Sequence, residues 1–457
     1  MTAQTTISRL DQAGERLLQL AQQSRPWRSG RLAALRREAL GVFAEQGLPE
    51  PRSEDWRHAC LGPVREELDY IRPREVDAAR GAKSLLEASP FAGVGGSRIV
   101  FVDGRYVASL SDLTRLPAGV LLATFVEAQE NSALQEHLGG YATFGDHPFT
   151  ALNTAAFEDG AFIHIRQNVS LEHPLEIIFL SLGEESGRVV THPRVLVLVE
   201  AHTKVPIVEL HLGAGRGRYF SNPVTEIVCG ENAQVDFLKI QVEDCDSFHF
   251  GRLETWQDRN ATVRTAVITL SGGIVRNDTG SALDGEGGYV DLDGLYLVSG
   301  KAQVDNFTRI EHRKPHCGSR EVYKGILNDQ GRGHFRGRII VKRGAQGTDA
   351  KQTNKNLLLS SGALANTKPE LEIYADDVKC THGATIGRLD DEALFYLRSR
   401  GIGEASARSI LIYAFAGEVV GRLHHPEIRQ AVDRFFLSWL PRGEVVRAMA
   451  ATEAINV

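Results

Sequence analysis

The chain of 457 residues is poor in cysteine, methionine and aromatic side chains. Its five cysteines, at 60, 229, 245, 317 and 380, are scattered, odd in number and never spaced C-x-x-C. That is no disulfide framework, and it fits the reducing cytoplasm. Long apolar runs are missing as well. Stretches such as Val195-Leu196-Val197-Leu198-Val199 have the length of a strand and are far too short to cross a bilayer. The first residues carry Asp11 and Glu15 without the apolar core of a secretory signal. A formal charge of −6 argues against a dedicated nucleic-acid binder.

Several catalytic signatures are also lacking. Gly294 to Gly300, followed by Lys301 and Ala302, has the wrong spacing and the wrong last residue for a phosphate-cradling loop. Pro315 lies between His312 and His316, and no glutamate follows His312, which excludes a zinc-protease helix. His316 and Cys317 are adjacent, so on a strand they would face opposite ways. No G-x-S-x-G elbow occurs.

Three regions are legible: residues 1–95 as an amino-terminal helical region, 96–388 as a β core, and 389–457 as a helical end. Ser29 is placed to cap a helix whose face is Leu32, Leu35, Ala39, Val42 and Phe43, closed by Gly47 and Pro49. The proline-rich, charged segment 48–57 reads as a surface anchor around Trp56. Ile99 to Val107, turning at Asp103-Gly104, predicts a hairpin with a type I′ turn. From about 160 to 380 short strand-like runs follow one another. Leu238, Ile240 and Val242 alternate with Lys239 and Gln241, so the two sets belong to opposite faces. Asp284, Glu286, Asp291 and Asp293 flank glycines and read as turns. So much strand makes a sandwich, barrel, propeller or solenoid, and no crisp repeat chooses among them. After it, helices are expected over Asp391 to Ser399, capped by Asp390 and closed by Gly401, then over Glu404 to Gly421, and from Pro426 onward.

The most informative stretch is Asp376 to Thr385, which holds Cys380 and His382. Two residues apart on a strand, they share a face. A thiolate beside an imidazole suits iron, zinc or copper. Two donors complete neither a four-coordinate site nor a cluster, so further ligands must come from elsewhere in the fold, from sulfide or from a second protein. Farther on, Arg400-Gly401-Ile402-Gly403 is similar to the turn of helix–hairpin–helix DNA-binding elements. With one copy and few basic neighbours, it reads more simply as a tight turn between packed helices.

Longer ordered matches carry a resemblance. They are Asn354 to Ser360, Asn366 to Ile373, Asp376 to Thr385 and Leu394 to Ile402, with weaker ones at Arg52 to Trp56, His147-Pro148-Phe149 and Ala151 to Ala155. Together they resemble the SufB/SufD family of iron–sulfur cluster assembly proteins. Gly383, where SufB typically has glutamate, and Ser399, where it usually has glutamine, are more similar to the SufD branch. The resemblance implies a right-handed parallel β-helix flanked by amino- and carboxy-terminal helical regions. It implies a cytoplasmic scaffold without catalysis of its own, paired with SufB or with a second copy of itself, and bound to neither nucleic acid nor membrane. ATP hydrolysis would belong to the ABC-type ATPase SufC, docked around Leu397, Arg398, Ser399, Arg400, Gly401 and Ile402. Cys380 and His382 would contact iron or a nascent iron–sulfur cluster at the interface with SufB, in a complex linked to a reduced flavin. The residues taken alone leave two other classes open: a β-solenoid enzyme acting on polysaccharide, and a DNA-binding protein using the Gly401–Gly403 turn.

Overall fold

Short strands wind into a parallel β-solenoid, and many of its corners hold a residue in the left-handed conformation. The computed structural model describes residues 10–447 except 26, 28, 29, 75–78, 92, 95, 214 and 216; the expected cap Ser29 lies outside them. At one corner, successive turns place His202, Asn232, Asn260, Gly287, His316 and Gly347 at positive φ. Asparagine and glycine bear that conformation at low cost.

Each turn gives one strand to each of two sheets. One sheet stacks Ala161–Ile165, Arg194–Val199, Val224–Cys229, Ser247–Gln257, Ile274–Leu283, Gln303–His312, Arg332–Val341 and Leu364–Ile373. The other stacks Leu175–Ser181, Lys204–Gly213, Gln234–Val242, Thr262–Ser271, Tyr289–Val298, Gly318–Leu327, Thr348–Leu358 and Val378–Gly387. Neighbours within both stacks are parallel. The expected hairpin, Ser97–Val102 with Arg105–Tyr106, closes the start of the second stack. Its turn residues Asp103 and Gly104 have φ of 45° and 78°, as a type I′ turn requires.

The solenoid explains why no repeat was visible. Val263, Val290, Ser319, Ala350 and Cys380 stack as one inward row, yet the step between them changes at every turn and the residue type is not kept. The interior is also partly polar. Lys239 and Gln241 point inward and are 4% and 0% exposed. Leu238 and Ile240 point outward and are buried under the carboxy-terminal helices with Ile412, Val419, Val432 and Phe436. Burying each such side chain contributes about 1.5–3 kcal/mol, which holds the helices on the sheet. Inside, Lys239 meets His249 (3.0 Å), His249 meets Glu243 (2.8 Å) and Glu209 meets His211 (2.8 Å).

Helices Gln12–Gln23, Gly30–Gln46 and Pro148–Ala156 pack on the other sheet's outer face around Phe220, Phe248 and Phe250. Two sequence expectations need correction here. Trp56 is 6% exposed, not a surface anchor, because Arg276 and Phe149 form a socket for its ring. Asp291 and Asp293 lie within the strand Tyr289–Val298 rather than in turns; Arg422 neutralises both, at 3.2 and 2.8 Å. Among the described residues, no helix is long and apolar enough to cross a membrane.

Candidate functional site

Val378–Gly387 is the last strand of its sheet and pairs on one side only, with Thr348–Leu358. Leu364–Ile373 ends the other sheet in the same way. The final turn therefore presents two ten-residue strands whose outer edges have backbone donors and acceptors unpaired among the described residues. Such edges are templates for pairing with another chain. Leu364, Ile373, Tyr374 and Ile386 are exposed apolar residues around this end.

Cys380 and His382 both sit on this terminal strand and share its inward-facing row, as their spacing requires. Cys380 stacks on Ala350 and packs against the core; His382 stacks on Gln352 and is exposed. Burial pushes the Cys380 thiol up, and Asp349 adds to the effect. The unliganded chain thus holds a thiol, and a metal ion must displace its proton. Thiolate and imidazole together fit borderline and soft metals. Among the described residues no group of three or more His, Cys, Asp or Glu side chains is placed to hold a metal ion. The donor set is suitable but incomplete.

Gly383 stands beside the pair in open space. A Cβ there would have no heavy atom within 4 Å, and its φ is not positive. The fold does not demand glycine at this position, so what glycine removes is a side chain and its donor atoms.

The other cysteines are not gathered here. Cys229 and Cys317 are buried, Cys60 is half-buried and Cys245 is exposed. Cys317 and His316 fall in a turn before the strand Gly318–Leu327, with Cys317 inside and His316 outside.

Leu397 to Ile402 forms a separate protrusion. Helix Asp391–Ser399 is capped by Asp390, which accepts from Glu392 and Ala393, and it has no buried residue. Phe395 and Tyr396 are 74% and 57% exposed. Gly401 at φ +85° ends the helix, and Glu404–Val420 follows. Arg398 is paired with Glu404 (3.7 Å), and Arg400 reaches the Tyr396 hydroxyl (3.2 Å). The arginines of the hairpin-like turn are therefore already engaged.

Sequence reading missed what lies behind the pair. Asn354 and Asn356, two of the residues that carry the resemblance, are buried in the same inward row as Gln352. Asn356 donates to Asn354 (2.6 Å), Asn354 to the Tyr323 carbonyl (3.2 Å), and Tyr296 to Asn356 (2.5 Å). Their period of two with Cys380 and His382 on the next strand was the available signal, but using it requires the register.

Most of the chain matches known proteins. Residues 181–415 match the family model described as SUF system FeS cluster assembly, SufBD core domain, and residues 19–177 match the SufBD protein N-terminal region. An iron–sulfur cluster assembly SufBD family protein of Synechocystis is 33% identical over 401 residues, covering 85% of this chain and 86% of that protein. The iron–sulfur cluster assembly protein SufD of Escherichia coli is 32% identical over 406 residues, covering 88% and 92%. SufD of Bacillus subtilis is 28% identical over 281 residues, covering 61% and 63%.

Proposed function

The chain belongs to the SufB/SufD family of iron–sulfur cluster assembly proteins, and on that premise we propose that it is a non-catalytic scaffold subunit whose open solenoid end pairs with SufB to complete a site for iron. One observation carries the reading: Cys380 and His382 are an incomplete donor pair on a strand with an unpaired edge. The same surface that lacks ligands has free backbone groups with which to recruit the chain that supplies them. Iron and sulfide are then substrates assembled between two proteins, with the Cys380 thiolate and the His382 imidazole contacting iron. A second copy of this chain is the alternative occupant of the edge.

SufC, in this reading, docks on the exposed helix and turn from Leu397 to Ile402. Half-buried Leu397 and Ile402 anchor the turn, while Phe395 and Tyr396 offer apolar area for a partner. The following helix packs on the solenoid, so force applied at the dock would reach the β body. A reduced flavin in the complex would supply electrons; no residue of this chain is assigned to it.

The reading is tested by mild affinity capture of the tagged chain from its own cells, with partners identified by mass. Recovery of an ABC-type ATPase and a SufB paralogue supports it. Recovery of the chain without either partner removes its support.

A further inference from the structure

Directly behind His382 lies a buried amide with an oxygen that has no donor, and its assignment rests on reading His382 as an iron ligand. Leu292, Glu321, Gln352 and His382 are consecutive rungs of one inward row. Neighbouring rungs stand about 4.8 Å apart, within reach of two long side chains. Glu321 and Gln352 are 1% and 2% exposed. Gln352 Nε2 donates to Glu321 Oε2 at 2.6 Å. The amide rests on Gly337 of the opposite sheet, where a Cβ would come within 2.2 Å of Nε2. Its nitrogen is thereby committed to the rung beneath. Gln352 Oε1 is buried and accepts no hydrogen bond among the described residues. A buried acceptor left in this state is destabilising until a donor reaches it. On the rung above, His382 is exposed and makes no hydrogen bond or ion pair among the described residues.

We propose that Gln352, oriented by Glu321, is a positioning residue for His382. Gln352 Oε1 accepts one ring N–H of His382 and so fixes the tautomer. The other ring nitrogen then presents its lone pair to iron at the open end. A metal-bound imidazole commonly hands its second N–H to a carbonyl or carboxylate, which sets ring orientation and basicity. A neutral amide does this without placing a second carboxyl group beside Glu321. Gly337 has a matching role, since its bare backbone is what lets the amide lie across the interior.

The test uses the metal-free full chain labelled with ¹⁵N-histidine, the His382 signals being identified by their loss in His382→Ala. Wild type should show one dominant tautomer. Gln352→Leu, or Gln352→Met if the leucine variant does not fold, should show the mixture of a free imidazole. Anaerobic titration with iron(II) alone, on the chain with its copurifying partners, should show binding weakened by about 10–100-fold in the Gln352 variant. In a His382→Ala background the same change should have no further effect. Glu321→Gln, whose carbonyl still accepts from Gln352, should behave as wild type. A wild-type His382 that is already a mixture of tautomers overturns the proposal whatever iron does. So does a Gln352 variant that alters neither tautomer nor affinity while His382→Ala weakens iron. Iron binding untouched by His382→Ala would instead remove the reading on which the proposal rests.

Discussion

Arg276 lies over the indole of Trp56, 3.9 Å from the ring centre, while Asp278 and Asp305 hold its charge at 2.7 and 2.6 Å. The segment before the first well-formed strands is thus pinned to the middle of the solenoid. Asp55 pairs with Arg336, and Glu54 with Lys368 at 2.5 Å, which extends the seam toward the open end. Trp56→Ala should cost about 3–5 kcal/mol through lost burial and the cavity left behind, read by urea unfolding. A loss below about 1 kcal/mol would return Trp56 to the surface role its charged neighbours suggest.

Arg194 and Glu226 form an ion pair at 2.7 Å with both side chains fully shielded from solvent. Glu226 also accepts from the backbone of Gly139, Tyr141 and Ala142, which ties a loop to the first sheet. Removing one partner strands a buried charge, so Glu226→Ala should cost about 3–5 kcal/mol. The double variant Arg194→Met with Glu226→Leu should recover part of that loss but not all, because three backbone donors stay unpaired. A double variant worse than the single one would contradict this account.

Burial pushes the Glu321 carboxyl up to about 7. The folded chain then holds this proton more tightly than the unfolded chain does, where the group titrates near ~4.3. The contribution to stability is full below the unfolded value and is lost as pH rises through about 7. Glu321→Gln keeps the hydrogen bond and removes the titration. Its stability relative to wild type should therefore climb between pH ~4.5 and ~7, by up to about 3 kcal/mol, and then level off. Denaturant unfolding at a series of pH values measures the difference; a constant difference would show that Glu321 does not titrate in this range.

Gly383→Glu should fold as well as wild type, since a Cβ there meets nothing within 4 Å and a strand glycine gives up backbone entropy for no packing. The expected change lies within about 0.5 kcal/mol, judged by thermal unfolding. A fall of several degrees would mean that glycine has a structural role at this position.

Local signals were readable, and collective ones were not. Asp390, Gly401 and Pro426 marked helix ends where the structure has them, because capping and backbone restriction act within a few residues. Asp103-Gly104 specified its turn for the same reason. The solenoid followed from the family resemblance but was hidden from the strand pattern, since stacked positions such as Ser319, Ala350 and Cys380 share a register but neither residue type nor constant spacing. The alternation of Lys239 with Leu238 separated two faces without saying which is interior: Lys239 is inside and Leu238 outside, which makes sense only once helices cover the outside. Asp291 and Asp293 looked like turn residues until Arg422, far along the chain, arrived to neutralise them. Cys380 and His382 were recognisable as a pair, whereas Gln352 and Glu321 behind them needed the pairing of three strands.

The most direct test of the account is the iron and acid-labile sulfide content of His382→Ala, purified with its partners beside wild type. The His382 side chain is exposed and makes no ion pair among the described residues, so the account expects normal folding and partner recovery with a clear loss of both iron and sulfide. Unchanged iron and sulfide in a complex of normal composition would contradict it and remove His382 from the site.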